Sequence, residues 1–194
     1  WLTSIRVQGV CRGKVELPHV GIVCNFTRPP QSKPSLLTLD EVRTFYHEFG
    51  HALHGLLSKV IYRSLAGTNV YWDFVELPSQ IMENWTRERE ALDIFARHYE
   101  TDEAIPSDLL QRLKAAETFQ AGMQFLTQLN YGLLDMAYHT TPPGMVTDIQ
   151  SFETQATQRS TILPDPEGLC ISTGFSHIFA GGYSAGYYSY KWAE

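Results

Sequence analysis

A mainly α-helical fold with a small β-sheet or hairpin near the N-terminus is the architecture this sequence predicts. Three observations predict it. Residues 15–26 are β-branched and apolar with Pro18 as an interruption, which suits a short strand or hairpin. Thr38 is followed three residues later by Glu41, the capping-box pattern of a helix start. Beyond it, apolar residues recur at helical spacing over most of the chain. In order, residues 28–34 (RPPQSKP) read as loop. The helix capped by Thr38 ends near residues 57–59. Residues 61–71, which contain Gly67-Thr68-Asn69, read as a further loop. A long charged helix begins near Glu76, because Pro78 suits a first turn, and runs to about Glu100. Pro106-Ser107-Asp108 opens another helix, reaching about Tyr138 before Thr141-Pro142-Pro143-Gly144 breaks it. Thr147-Asp148 starts a short helix to about Thr157. No internal repeat or low-complexity segment is present.

The 194 residues are enough to bury a core as one domain. With 15 basic and 21 acidic residues the net charge is −6, and no basic stripe stands out, so nucleic acid is not an expected partner. No apolar run approaches the roughly 20 residues that span a bilayer, so a membrane is not one either. Cys11, Cys24 and Cys170 are widely spaced and odd in number. They read as three thiols rather than as a disulfide framework or a Cys-type zinc site.

The most specific chemistry lies in Phe45-Tyr46-His47-Glu48-Phe49-Gly50-His51. Two histidines four apart on a helix point to the same side, because one turn takes about 3.6 residues. Two imidazoles on one face can hold one Zn²⁺. Glu48 then stands beside the metal, placed to take a proton from water there. Composition alone puts this pattern in roughly one or two such chains per hundred, so the spacing needs a third ligand to carry weight. The bland alternative is a helical histidine pair satisfied by ordinary hydrogen bonds. With the third ligand the site would be zincin-like, and the fold a zincin-like helical metallopeptidase segment.

A catalytic zinc needs three protein ligands and an open position. The stretch Asp73-Phe74-Val75-Glu76-Leu77-Pro78-Ser79-Gln80-Ile81-Met82-Glu83 offers carboxylates at 73, 76 and 83. Glu76 is the best third ligand, but spacing alone does not select it over Asp73 or Glu83. Glu76 and Glu83 are seven apart and share a face of an ideal helix. If Glu76 binds the metal, Glu83 is placed to accept a ring N–H from a ligand histidine; otherwise it is an ordinary solvated helix carboxylate. His54 follows His51 by three, but one rigid helix does not wrap three groups tetrahedrally around an ion, so a packing or surface role is expected. His19, His98 and His139 have no companion pattern.

A second chemical centre is the block near the C-terminus. Gly174, Gly181, Gly182 and Gly186 make the backbone permissive, and Tyr183, Tyr187, Tyr188 and Tyr190 carry phenols. A phenol or a protonated imidazole can donate a hydrogen bond to the oxyanion that forms when water attacks a peptide carbonyl. The competing reading is plain: aromatics at helical spacing are more often core. The segment around residues 20–26 is open in the same way, as a structural strand or as a sheet edge that takes an extended peptide.

HEFGHALHG, then GTN…DFVELPSQ…ENW, then FSHIFAGGYSAGYYSY together resemble the M3 family of zinc metallopeptidases, over nearly the whole chain. Within that family VCNF at 23–26, KPSLLT at 33–38 and HIFAGGY at 177–183 look most like the peptidyl-dipeptidases; the thimet-type oligopeptidases look one residue shorter between the histidine and the first tyrosine. The resemblance implies one zinc per active site on His47, His51 and Glu76, with Glu48 as general base and Glu83 behind a ligand histidine. It places His177, Tyr183, Tyr187 and Tyr190 at substrate-contacting positions, with Gly182 in the same turn, and assigns Tyr183, Tyr190 and His177 to catalysis. The implied reaction is hydrolysis of short peptides, releasing C-terminal dipeptides; cleavage inside short peptides, or an inactive peptide-binding piece, are the alternatives. Members are several times longer, so residues 1–194 read as part of one M3-type catalytic domain. Little activity is expected of the segment alone, and self-association through apolar surface around Tyr187, Tyr188, Tyr190 and Trp192 is expected. The expected compartment is the cytoplasm.

Overall fold

The structure, a computed structural model, describes all 194 residues, Trp1–Glu194. Four short strands come first: β1 (Leu2–Arg6), β2 (Gly9–Cys11), β3 (Lys14–Glu16) and β4 (His19–Ile22). β1 pairs antiparallel with β4, Thr3 opposite Gly21, and β2 pairs antiparallel with β3, Val10 opposite Val15. Arg12 and Gly13, both at positive φ (50° and 76°), turn the second hairpin, as the twist of a tight two-residue turn requires. The sequence predicts strand only over residues 15–26. β4 and all of β3 but its first residue fall there, divided at Leu17-Pro18, but β1 and β2 do not. Their side chains are mostly exposed, so they carry little apolar patterning to read.

The helices are α1 (Leu39–Leu56), α2 (Trp72–Val75), α3 (Leu77–Glu83), α4 (Arg89–Phe95), α5 (Ser107–Thr118), α6 (Ala121–Thr140), α7 (Ile149–Thr157), α8 (Ser176–Phe179) and α9 (Ser189–Ala193). The chain forms two compact units, Trp1–Ala116 with Ala193–Glu194, and Glu117–Trp192.

In the first unit the capping box of α1 is formed. Thr38 Oγ1 accepts from Glu41 N at 3.2 Å, and Glu41 Oε2 accepts from Thr38 N at 2.8 Å. Glu41 Oε1 also takes the backbone N and hydroxyl of Thr27, each at 2.7 Å. These bonds, that from Thr38 N first, hold the Glu41 carboxyl at about 2, and they tie the loop after β4 to the start of α1.

α1 and α3 cross at Gly50. A Cβ there would run into Pro78 O and stand 2.5 Å from Ser79 Cα. Backbone cannot move aside as a flexible side chain can, so only glycine lets α3 lie this close to the two histidines of α1. Gly50→Ala gains helix propensity of up to about 1 kcal/mol but overpacks the crossing, so a net loss of about 1–2 kcal/mol is expected in denaturant unfolding.

The helix predicted from Glu76 to about Glu100 is broken instead. α3 ends at Glu83, a 3₁₀ turn covers Asn84–Thr86, and α4 starts only at Arg89. The Thr86 hydroxyl donates to Glu83 O at 2.7 Å, competing for a helix carbonyl, and Glu88 is extended (φ −86°, ψ 130°). The predicted run from residue 106 to 138 is likewise two helices, parted at Gln120, which adopts a left-handed φ of 54°.

The second unit is organised around Leu134, Phe175, Ile178 and Tyr187, with Tyr131, Tyr138, Ile171 and Tyr190 packed against them. Two buried carboxylates pin its loops. Asp135 on α6, fully buried, accepts from Ala185 N and Tyr187 N, each at 2.9 Å. Glu153 on α7 accepts from Ile171 N at 2.7 Å, Ser172 N at 2.9 Å and the Tyr138 hydroxyl at 3.0 Å. Burial alone would raise the Glu153 pKa, but these donors outweigh it and lower it. Of the aromatic surface expected at the end of the chain, Trp192 (73%) and Tyr188 (46%) are exposed, whereas Tyr187 is not: it belongs to the core. No helix is long and apolar enough to cross a membrane.

Candidate metal centre

His47 and His51 project from successive turns of α1, their rings edge to face with centroids 5.0 Å apart. Glu76 stands at the start of α3 with its side chain 1% exposed. Its Oε2 lies 3.3 Å from His47 Nε2 and 3.3 Å from His51 Nε2, and the three donor atoms lie within 4.8 Å of one another. Asp73 and Glu83, the other two carboxylates the sequence leaves open, are outside this group of three.

His47 Nδ1 is 2.8 Å from Glu83 Oε1. An ionised carboxylate only accepts, so this bond puts the proton on Nδ1 and leaves the Nε2 lone pair directed at Glu76 when the ring is neutral. Ser79, fully buried on α3, donates to Glu76 Oε2 at 2.8 Å. The Nδ1 atoms of His51 and His54 are buried without a hydrogen-bond partner. His54 packs edge-on against Phe74 and is outside the metal group; burial first, then the His51 charge, lower its pKa. Glu48 is 15% exposed.

The donor set fits zinc. Two atoms each about 2.0–2.1 Å from a tetrahedral ion stand about 3.3–3.4 Å apart, which is the separation Glu76 Oε2 keeps from both ring nitrogens. Two imidazoles and one carboxylate leave a fourth position open. A buried carboxylate flanked by two imidazoles calls for a cation to share it, either a metal ion or the protonated ring of His47.

The metal-free site has a pH signature. Burial works against charge on His47, but the hydrogen bonds and fields of Glu76 and Glu83 outweigh it and raise its pKa from 6.5 to about 9. The folded value is the higher one. This group's contribution to metal-free stability is therefore full below pH 6.5 and lost as pH rises through about 9. Zinc must displace that proton. Binding at pH 7 is expected to release about one proton from His47, and affinity should rise about tenfold per pH unit until it levels near the His47 value. Calorimetry in buffers of different ionisation enthalpy measures the release.

In the second unit His177, Tyr183 and Tyr190 form an aromatic cluster. Tyr183 and Tyr190 stack at 5.1 Å, and the exposed His177 ring stands 6.0 Å from Tyr183 and 6.3 Å from Tyr190. Gly182 adopts φ 88°, and Tyr183 N donates to His177 O at 3.0 Å, which folds the glycine turn back on α8. Tyr187, expected at a substrate-contacting position, is 8% exposed and donates its hydroxyl to Gln128 Oε1 at 3.1 Å. Burial pushes its phenol up to about 12. Its place is in the core between Tyr131 and Phe175.

Two residues that matter here carry only a faint signal in the sequence. Gly50 reads as an ordinary cost inside a helix, yet an interior glycine flanked by two candidate ligands is the signal for a close crossing. Ser79 is three residues after Glu76, within reach of its side chain on a helix.

The model of Peptidase family M3 matches residues 3–194, and the chain belongs to that family. It is 47% identical over 203 residues to Organellar oligopeptidase A, chloroplastic/mitochondrial, of Arabidopsis thaliana, covering 100% of this chain and 25% of that protein. It is 44% identical over 184 residues to Oligopeptidase A of Escherichia coli (94% and 27%). With Dipeptidyl carboxypeptidase of Escherichia coli it shares 40% over 179 residues (91% and 26%). The chain thus spans about a quarter of the length of these relatives. M3 peptidases are zinc-dependent, and His47, His51 and Glu76 form a group of donors that could hold such an ion.

Proposed function

We propose that this chain carries the zinc site of a peptidase that hydrolyses short peptides. The observation that carries the reading is the convergence of His47 Nε2, His51 Nε2 and Glu76 Oε2, with Glu48 in the same turn of α1. Zinc held by these three atoms would polarise the scissile carbonyl and lower the pKa of water to about 7. Glu48 takes the proton from the attacking water and passes it to the leaving amine. Glu83 fixes the ring of His47 through Nδ1, so the geometry does not drift during turnover. Tyr183, Tyr190 and His177 are assigned to substrate contact, for which a phenol or an imidazole supplies a hydrogen-bond donor. That assignment rests on the resemblance and on the chemistry of phenol and imidazole. β4 pairs only with β1, and its other edge suits an extended peptide backbone.

Two modes of cleavage follow from the sequence. The segments at 23–26 and 177–183 favour release of C-terminal dipeptides. The higher identity to the oligopeptidase A relatives, 44–47% against 40%, favours cleavage inside short peptides. A pair of peptides separates them: one with a free C-terminal carboxylate and its amidated twin, each digested by the full-length protein and analysed by mass. A peptidyl-dipeptidase cuts the free acid, two residues at a time, and spares the amide; an oligopeptidase cuts both at internal bonds. No cleavage of either peptide by zinc-loaded protein would contradict the peptidase reading.

A further inference from the structure

We propose that Ser79 is a positioning residue for the metal site, holding the Glu76 carboxylate in the orientation that converges with the two imidazoles. The inference rests on the reading of His47, His51 and Glu76 as the zinc ligands. Glu76 enters the site from the junction of α2 and α3, where its backbone has φ −85° and ψ −11° and no neighbouring side chain caps the helix. The Ser79 hydroxyl bears directly on how the carboxylate turns, lying 2.8 Å from Glu76 O and 2.8 Å from Glu76 Oε2.

A hydroxyl has one proton to give. Glu76 O already accepts from Gln80 N at 2.9 Å, so that carbonyl is satisfied without Ser79. The carboxylate is 1% exposed, so bulk water offers it little. The Ser79 proton is therefore better spent on Oε2, the same oxygen that stands 3.3 Å from both Nε2 atoms. A charge-assisted bond of this kind fixes a rotamer. Ser79 is itself 0% exposed and sits where Gly50 lets α3 approach α1, so hydroxyl and carboxylate are held by the same crossing. Glu83 orients His47 from one side, and Ser79 orients Glu76 from the other.

The test is a double-mutant cycle on the full-length protein, read as zinc affinity by competition with a chelator. Ser79→Ala is expected to weaken zinc about 10–100-fold, the range for residues behind a ligand. In a Glu76→Ala background the same substitution is expected to change the already weakened affinity by less than about twofold, because the carboxylate it positions is gone. Co²⁺ in place of zinc gives a second readout: its visible absorption bands should shift in Ser79→Ala at metal saturation. Far-UV circular dichroism and the melting point of the metal-free variants monitor folding. Should Ser79→Ala not fold, the nearly isosteric Ser79→Cys enters the same cycle, with a weaker donor and a smaller loss expected. Wild-type affinity in the serine variant, or an equal loss in both backgrounds, overturns the proposal. If Glu76→Ala alone leaves zinc affinity unchanged, the ligand assignment fails instead, and the positioning role with it.

Discussion

Glu48→Gln in the full-length protein is expected to keep its zinc and to lose at least about 10²-fold in kcat, the lower end for a positioned acid–base group. The amide keeps the size and shape of the carboxylate but cannot take a proton. Glu48 is outside the group of three donor atoms, so its replacement does not subtract a ligand. It also lies on α1 one residue from His47 and is 15% exposed, so the swap adds no buried charge. The loss should fall on kcat rather than on KM, because a proton acceptor acts in the transition state and contributes little to holding the peptide. Wild-type turnover with metal bound would remove Glu48 from the mechanism.

His47→Ala, His51→Ala and Glu76→Ala are each expected to abolish tight zinc binding and activity together. Each leaves two protein donors, too few for a stable catalytic site. The histidine variants lose a neutral donor. Glu76→Ala removes the only carboxylate oxygen standing 3.3 Å from both rings, and with it the charge that offsets the ion. Glu83→Ala should be milder, about 10–100-fold in affinity, because Glu83 reaches the metal site only through His47 Nδ1. Metal analysis after dialysis against a weak chelator orders the four variants. A Glu76 variant that keeps stoichiometric zinc would hand the third position to Asp73 or Glu83.

Much of this site could be read before the structure, because its signals are local. Thr38 and Glu41 announce the start of α1, and the box forms as their spacing requires. The four-residue interval of His47 and His51 settles which face they share, since both are inside one regular helix. Glu76 was harder. Its place depends on the irregular junction of α2 and α3 and on a helix crossing that Gly50 permits, neither of which is a property of spacing. Residues 76–100 are rich in helix formers, which hides the break after Glu83; the Thr86 hydroxyl and the extended Glu88 decide it. β1 and β2 are hidden for the opposite reason, since exposed strands lack alternation. Tyr187 shows the limit of reading a tyrosine-rich block as a unit: its ring meets His177 at 5.9 Å and Tyr190 at 5.0 Å, yet it is buried and its hydroxyl is held by Gln128. Burial, which spacing does not report, sets it apart.

X-ray absorption at the zinc edge on the full-length protein shows directly whether one zinc is held by two imidazoles and one carboxylate. One zinc per chain is expected, with a shell of nitrogen and oxygen at about 2.0–2.1 Å and the outer scattering of two imidazoles. That second signal should halve in His51→Ala forced to saturation with excess zinc. A sulfur shell at about 2.3 Å, from Cys24 or another thiol, or the scattering of a third imidazole such as His54, would contradict it.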